Sequence, residues 1–151
     1  MVINWFSGKY GFLSNFSFSP ILLGDGLVGR SAEHVYQACK AIGDDAMVHK
    51  ILNAPRPHDA KRLGRTIQLK EGWDDVKASM MKGIVYRKFY QNQGLKQQLL
   101  ETGDEELVEG NYWHDNFWGS CTCAKCGNHG ENNLGKILMK VREHLRSKQD
   151  D

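Results

Sequence analysis

A helix is predicted by the segment Ser31-Ala-Glu-His-Val-Tyr-Gln-Ala-Cys-Lys-Ala-Ile42. Ser31 suits the N-cap position, and the helix dipole favours the carboxylate of Glu33 in the first turn. At about 100° per residue, one face is apolar and suited to a core, through Val35, Ala38, Cys39 and Ile42. The opposite face combines a carboxylate, a phenol, an amide and an amine: Glu33, Tyr36, Gln37 and Lys40. That face is either a solvated surface or a reactive site.

The surrounding sequence predicts a mainly helical α+β fold. Residues 21–28 contain two apolar runs around Gly24-Asp25-Gly26 and predict a hairpin, whereas residues 6–16 are interrupted by glycine and predict an irregular loop. The helix that begins after Ser31 is expected to end near Gly43. Further helices are predicted over residues 44–53, 58–65, 74–90 and 95–101, and a short strand over residues 106–109.

Apolar stripes support the two longest helices. In the helix over residues 74–90 the predicted stripe consists of Val76, Met80, Ile84 and Val85. In the final helix the apolar residues recur at i, i+3, i+4, i+7 and i+11, as Leu134, Ile137, Leu138, Val141 and Leu145. We therefore expect a single compact domain over residues 1–146, with a small β element near its N-terminus and a flexible tail over residues 147–151.

Composition restricts the class of protein. The chain has 151 residues, of which 40% are hydrophobic and 25% charged, so it can form a core. The formal net charge of +2 predicts no electrostatic clamp for a long nucleic acid. No apolar run approaches the roughly 20 residues of a membrane span, and no signal peptide is evident at the N-terminus. Three of the four cysteines are crowded into residues 121–126, unlike a secreted disulfide framework. The sequence predicts a cytoplasmic protein without a membrane partner.

The cysteine-rich segment offers ligands for a structural zinc ion. Cys121, Cys123, Cys126 and His129 supply three thiolates and an imidazole, which are ligand types of tetrahedral zinc sites. These ligands span only nine residues, however, and a second, distant pair is missing. A reduced thiol loop that binds no metal is the alternative interpretation.

Two further segments suit a nucleotide-like ligand. Residues 110–119 combine aromatic rings, which stack on bases, with Asn and Asp side chains that bind hydroxyls and base edges. The start of the final helix at Asn133, together with Lys136, offers N–H groups and a positive charge to a phosphate. Each feature also has a plain structural interpretation, as an aromatic cluster that pins a loop and as an ordinary N-cap.

Ordered sequence blocks extend over nearly the whole chain, from about residue 6 to residue 146. They include Phe6-Ser-Gly8, Leu13-Ser-Asn-Phe16, Ala32-Glu-His-Val-Tyr-Gln-Ala-Cys-Lys40, Ala60-Lys-Arg-Leu-Gly-Arg65, Lys88-Phe-Tyr-Gln-Asn92, Asp115-Asn-Phe-Trp-Gly119 and Asn133-Leu-Gly-Lys-Ile-Leu-Met139. In the number, order and spacing of these blocks the chain resembles the NADAR family, also called YbiA-like. Residues 121–129 are an insertion in that pattern, and we expect the insertion to influence substrate preference.

The resemblance implies an N-glycosidase, a hydrolase of the bond between a ribose and a base nitrogen. Members of the family are associated with two substrates. Some remove ADP-ribose from ADP-ribosylated guanine, and others cleave early phosphoribosylamino-pyrimidine intermediates of riboflavin biosynthesis. We expect the first activity, because no riboflavin-pathway domain is fused to this sequence. The implied fold is a compact, mainly helical α+β domain with no required metal or redox cofactor.

The resemblance also suggests roles for individual residues. A carboxylate is needed near the ribose, because cleavage builds oxocarbenium character there; Glu33 is the first candidate and Asp115 the second. Lys40 would neutralise a phosphate, protonate the leaving base or form a Schiff base with an opened ribose. The remaining candidates bind substrate: Phe16, Tyr36 and Trp118 around the base, Asn15 and Gln37 at its polar edge, Asn133 and Lys136 at a phosphate, and Gly119 without a more specific role.

Two alternatives stay open at this point. The chain would cleave the riboflavin intermediates instead, or it would be a non-catalytic module that binds ADP-ribose or a nucleotide. The corresponding partners are an ADP-ribosylated guanine nucleotide or nucleic acid, or a small riboside phosphate. The sequence does not specify the oligomeric state.

Overall fold

The computed structural model describes residues 1–149, and Asp150 and Asp151 lie outside the described residues. Within this range the helices are α1 (Ala32–Cys39), α2 (Asp45–Leu52), α3 (Pro57–Gly64), α4 (Trp73–Gln91), α5 (Gln93–Glu101) and α6 (Asn133–Gln149). The strands are β1 (Val2–Ile3), β2 (Ile21–Gly24), β3 (Leu27–Gly29), β4 (Glu106–Leu107), β5 (Gly110–Asn111) and β6 (Ser120–Cys121), and a 3₁₀-helix covers Gly8–Leu13. The chain divides into a central unit, residues 15–92, and a terminal unit, formed by residues 1–14 and the chain from residue 93 onward.

Helix α1 contacts α2, α3 and α4 within the central unit. The predicted N-cap is confirmed, since Ser31 Oγ accepts a hydrogen bond of 3.1 Å from the backbone N–H of His34. The helix ends at Cys39, earlier than predicted, and turns continue to Gly43, whose φ of 103° favours glycine. Ile42 lies beyond the helix and is 51% exposed, so its predicted place in the core is wrong.

Both faces of α1 are buried. The apolar face packs into a core formed by Ala38, Ala41, Ile51, Leu52, Ala54 and Ala60. The polar face is buried as well, because Glu33 is only 7% exposed and Gln37 only 3%. The solvated-surface interpretation of that face is therefore wrong.

The predicted hairpin is confirmed, with β2 antiparallel to β3 and Ile21 paired with Gly29. Asp25 and Gly26 in its turn have positive φ, a left-handed backbone conformation that glycine, asparagine and aspartate adopt more readily than other residues. Helix α2 is capped by Asp44, whose carboxylate accepts the Met47 N–H at 3.1 Å. The hairpin and α2 thus follow local signals in the sequence.

Helix α4 buries a different stripe from the predicted one. Its buried residues include Met81, Ile84, Val85, Lys88 and Phe89, whereas Val76 is 45% exposed. The buried stripe begins at Trp73 and lies on a face that differs from the predicted one; it also includes a lysine, which a count of apolar residues leaves out. Ile84 and Val85 are confirmed as core residues, and Val76 is not.

The terminal unit contains strands that the sequence did not predict. Strand β1 pairs in parallel with β4, and β5 pairs in parallel with β6. The predicted strand at residues 106–109 is confirmed by β4. Each of these strands has two residues, so none produces a periodic pattern, and each forms only through distant pairing. A 3₁₀-helix also occupies part of the predicted irregular loop.

Helix α6 buries the full predicted stripe, from Leu134 to Leu145. It also buries Arg142, which donates a hydrogen bond of 2.9 Å to Thr102 Oγ1. The helix continues to Gln149, three residues into the predicted tail, because residues 147–149 include no proline or glycine. Among the described residues, no helix has the length and apolar character required to cross a membrane.

Candidate active site

The polar face of α1 fixes a buried carboxylate. Gln37 Nε2 donates a hydrogen bond of 2.7 Å to Glu33 Oε1, one helical turn away. The backbone N–H of Glu33 donates to the Asn15 carbonyl at 3.0 Å. Because both residues of the pair are buried, the carboxylate has a defined position and little access to bulk solvent.

Gln37 is wedged between Glu33 and helix α3. A Cβ placed on Gly64 would lie 1.8 Å from Gln37 Oε1, so only glycine fits there. Among the described residues, Gln37 Oε1 has no hydrogen-bond partner. The structure places its amide nitrogen on the carboxylate and its amide oxygen against Gly64. Binding of the edge of a base by Gln37 stays a prediction.

Lys40 follows α1 at the C-cap and is half-buried. Burial lowers the pKa of its amine, Glu33 raises it, and the positive charges of Lys61, Lys77 and Arg65 lower it further. We call the four cations Lys40, Lys61, Arg65 and Lys77 the cationic cluster. The sequence analysis did not select Lys61, Arg65 or Lys77, although Lys61 and Arg65 are spaced i, i+4 in one of the quoted blocks.

The predicted base-binding residues of the central unit differ in exposure. Tyr36 is 5% exposed and packs against Trp73, with ring centroids 5.7 Å apart. Lys40 Nζ lies 5.3 Å from the centroid of the Tyr36 ring. Phe16 is 41% exposed, and Lys61 Nζ lies 5.8 Å from its ring centroid. Phe16 is thus the ring that is open to a ligand, whereas Tyr36 belongs to the packing under Lys40.

Asn15 connects the loop before the hairpin to α1 and α4. Its carbonyl accepts the Glu33 N–H, and its side-chain Nδ2 lies 3.4 Å from Met81 Sδ. The residue is 8% exposed. Both of these contacts hold the loop in place, and the predicted contact with a base edge is not tested by them.

His34 anchors the start of α1. Its Nδ1 lies 2.7 Å from Ser31 Oγ and its Nε2 lies 2.9 Å from the Ala54 carbonyl. A carbonyl only accepts, so Nε2 carries the proton and Nδ1 accepts from the serine hydroxyl. Burial lowers the pKa of His34, which keeps the ring neutral. The sequence analysis assigned no role to this residue.

Lys88 is a second lysine with an unusual environment. It is 1% exposed on α4, and burial lowers the pKa of its amine to about 7. Its Nζ donates a hydrogen bond of 3.2 Å to Ser17 Oγ. Its position in the stripe of Ile84 and Val85 is the sequence signal that could have identified it.

The other predicted residues lie in the terminal unit. Asp115 Oδ1 accepts hydrogen bonds from the N–H groups of Phe117, at 3.2 Å, and Trp118, at 2.9 Å. The Trp118 ring contacts Phe117 edge to face, with centroids 4.7 Å apart. A Cβ on Gly119 would lie 2.2 Å from the Glu109 carbonyl oxygen. These contacts show what shapes the loop; they do not test the predicted roles in catalysis and base binding.

The N-terminus of α6 is engaged by the protein itself. Asn133 donates from both its backbone N–H and its Nδ2 to the Phe117 carbonyl, and the Leu134 N–H donates to the Trp118 carbonyl. Lys136 is exposed on the same helix. The donors that the sequence offered to a phosphate at Asn133 are therefore used to hold residues 117–118.

A metal-binding set of side chains occupies the cysteine-rich segment. The ligand atoms of His114, Cys121, Cys123 and Cys126 lie within 4.8 Å of one another. The imidazole of this cluster is that of His114, and His129, the histidine predicted from spacing, is not part of it. Parallel pairing of β5 with β6 returns the chain to the same edge and brings His114 beside Cys121, which spacing along the sequence does not reveal.

The comparison with family models decides the classification. A model of the NADAR domain matches residues 5–146. The chain belongs to the NADAR family. The resemblance found in the sequence blocks is thereby confirmed.

Relatives of this NADAR chain carry two kinds of name. It is 44% identical over 142 residues to the N-glycosidase Npun_R5314 of Nostoc punctiforme, covering 91% of this chain and 87% of that protein. It is 35% identical over 148 residues to the N-glycosidase YbiA of Escherichia coli, covering 95% and 88%. It is 42% identical over 140 residues to the riboflavin biosynthesis protein VVA0006 of Vibrio vulnificus, covering 91% of this chain but 36% of that protein.

A solved structure supports the same classification. The NMR structure of the E. coli protein YbiA matches with a TM-score of 0.82 and 32% identity, over 100% of this chain and 90% of that one. The predicted mainly helical α+β fold is confirmed. The predicted enzyme class, a hydrolase of N-glycosyl bonds, is confirmed as well, since relatives covered over most of their length are named N-glycosidases. A purely non-catalytic binding module is therefore disfavoured.

Proposed function

We propose that this N-glycosidase removes ADP-ribose from ADP-ribosylated guanine, in nucleotides or in nucleic acid. The observation that carries the proposal is the buried Glu33 carboxylate, held by Gln37 and followed on the same helix by Lys40 of the cationic cluster. A fixed carboxylate next to positive charge suits a reaction at a ribose that carries phosphates.

Glu33 is the proposed catalytic carboxylate. Cleavage of the bond between C1′ and the base nitrogen develops positive charge on the ribose, which a nearby carboxylate stabilises. Water then attacks C1′ and transfers a proton to Glu33. The electron pair of the broken bond leaves with the base nitrogen, which takes up a proton. In this scheme Gln37 is a positioning residue, because it orients the carboxylate.

Lys40 is the proposed partner of Glu33. The lowered pKa of its amine favours two of its candidate roles, because it eases transfer of a proton to the leaving base and raises the fraction of neutral amine. A neutral amine could attack the carbonyl carbon of an opened ribose and form a Schiff base. Reduction with borohydride during turnover distinguishes these routes, since only the Schiff base is trapped on the protein.

The cationic cluster supports an extended anionic substrate. Its four charges come from three parts of the central unit, namely the end of α1, helix α3 with its C-cap residue Arg65, and helix α4. ADP-ribose carries a diphosphate that separates two riboses. Positive charges that are spread over several elements match this extended anion better than they match a substrate with one phosphate. The exposed Phe16 ring beside Lys61 offers a surface on which a base can stack.

The riboflavin intermediates are the second candidate substrate. This alternative is favoured by the 42% identity to a Vibrio vulnificus protein named for riboflavin biosynthesis. The chemistry at C1′ would be the same, and the substrate would be smaller, with one phosphate. We further propose that the protein works in the reducing cytoplasm, in keeping with four cysteines that form no disulfide.

Turnover of the two substrates, measured in parallel, tests the substrate proposal. The purified chain is incubated with a single-stranded oligonucleotide ADP-ribosylated on guanine and with the phosphoribosylamino-pyrimidine, and released sugar phosphate is quantified by mass spectrometry. We expect kcat/KM to be at least tenfold higher for the oligonucleotide. A preference of that size for the pyrimidine would assign the chain to the second candidate, and binding of both without cleavage would contradict the enzymatic proposal.

A further inference from the structure

The side chains of His114, Cys121, Cys123 and Cys126 converge on one point in the terminal unit. His114 Nδ1 lies 3.4 Å from Cys126 Sγ, 3.6 Å from Cys123 Sγ and 3.7 Å from Cys121 Sγ. One ring nitrogen has at most one proton or one lone pair to offer. It cannot form three good hydrogen bonds, so hydrogen bonding alone does not account for the convergence.

These separations fit a shared tetrahedral ion. Zinc bonds of about 2.3 Å to sulfur and about 2.0 Å to nitrogen place an imidazole nitrogen about 3.5 Å from each thiolate in a tetrahedron. The three measured distances lie close to that value. Soft thiolate and imidazole ligands select zinc over the hard cations magnesium, calcium and manganese.

The backbone around the cluster has the form of a ligand turn. The N–H of Cys126 points at Cys123 Sγ, at 3.3 Å, and stabilises negative charge on that sulfur. The chain then reverses through Gly127 and Asn128, both with φ above 50°. On the other side, His114 also has a positive φ, of 69°, which turns its ring toward the thiols.

We propose that His114, Cys121, Cys123 and Cys126 bind one structural zinc ion. Four protein ligands fill a tetrahedral shell and leave no position for substrate, so the ion joins segments of the fold and does no chemistry. It would tie the turn after β5 to the loop after β6. Asp115 follows His114 directly, and the ion would therefore also stabilise the turn in which Asp115 accepts the Phe117 and Trp118 N–H groups.

The proposed ligand set contains His114, whereas the set predicted from sequence spacing contains His129, and an experiment can distinguish the two. The full-length protein, purified from zinc-supplemented cells and dialysed against a weak chelator, is analysed for metal content. We expect about one zinc per chain in wild type and in the controls His129→Ala and Cys39→Ser. His114→Ala and Cys123→Ser should bind zinc at least about tenfold more weakly. Loss of a residue that only hydrogen-bonds to a metal ligand already weakens binding by that factor, and loss of the ligand itself should weaken it no less.

Three outcomes would overturn the proposal. They are wild-type protein that takes up no zinc even after reconstitution with equimolar zinc, retention of zinc by His114→Ala, and loss of zinc by folded His129→Ala. If a ligand variant fails to fold, alkylation of native wild type gives the answer. Cys121, Cys123 and Cys126 should react at least tenfold faster after a strong chelator is added, while the rate at Cys39 stays constant. Equal rates with and without chelator would contradict zinc binding.

Discussion

Gly64 shows how a residue of another helix, by lacking a side chain, leaves room for the amide that holds the carboxylate of Glu33. Its Cα lies against the amide of Gln37, which in turn donates to Glu33. A methyl group at position 64 would have to displace that amide. The geometry of the proposed catalytic carboxylate therefore depends on a residue that has no reactive group of its own.

The first prediction concerns this contact. Gly64→Ala should destabilise the protein by about 1–3 kcal/mol through overpacking and should also lower kcat. Gly83→Ala is the matched control, because nothing lies within 4 Å of a Cβ there and the site is exposed within α4. It should stabilise the helix by about 0.5–1 kcal/mol and leave activity unchanged. Urea denaturation and turnover assays measure both effects; equal stability of the two variants would contradict the close contact.

His34 gives a prediction about pH at the same scale. Its pKa is lowered in the folded state, so as pH falls the unfolded chain takes up a proton on this ring before the folded protein does. The stabilising contribution is complete above about pH 6.5 and is lost as pH falls through the lowered folded-state pKa. The difference in unfolding free energy between wild type and His34→Gln should shrink from about pH 7.5 to about pH 5. A His34→Gln difference that stays constant over this pH range would refute the neutral buried ring.

Helices α4 and α6 show what periodicity can and cannot predict at the scale of elements. In α6 the apolar residues alone mark the buried stripe, and the sequence identifies it fully. In α4 the buried stripe includes Lys88, and an apolar count therefore selects Val76, which the structure exposes. Burial of a lysine depends on the elements that pack around it, and the local sequence pattern does not specify that packing.

A pair of truncations measures that difference. Leu138→Ala removes a side chain that is 1% exposed and should cost about 2–5 kcal/mol of stability. Val76→Ala, at a position that is 45% exposed, should change stability by less than about 0.5 kcal/mol. Both values come from urea denaturation. A loss of unfolding free energy above that limit for Val76→Ala would support the buried stripe that was predicted from the sequence.

At the scale of the whole molecule, the sequence predicts what is local and misses what depends on distant pairing. Ser31 as a cap, the hairpin turn at Asp25 and the acidic residue Glu33 on α1 all follow from neighbouring residues. The place of His114 beside the three thiols does not, because the pairing of β5 with β6 brings it to Cys121. The cationic cluster is missed for the same reason, since α3 and α4 place Lys61 and Lys77 near Lys40.

The family assignment connects these scales. The proposed mechanism uses the carboxylate that α1 orients, and the proposed anionic substrate would be bound by the charges of the cationic cluster. The terminal unit supplies the loop with Asp115 and Trp118, whose roles toward substrate stay predictions. Glu33 is therefore the residue on which the proposed reaction depends most directly.

The most direct test is the single-turnover rate of Glu33→Gln on the guanine-ADP-ribosylated oligonucleotide, compared with wild type and with the exposed control Glu71→Gln. The substitution keeps the shape of the side chain and removes its charge, so we expect unchanged folding by circular dichroism and a rate about 10²–10⁴-fold lower. Glu71→Gln should match wild type. Full activity in a folded Glu33→Gln protein would contradict the central claim and would move the search for the catalytic carboxylate to Asp115.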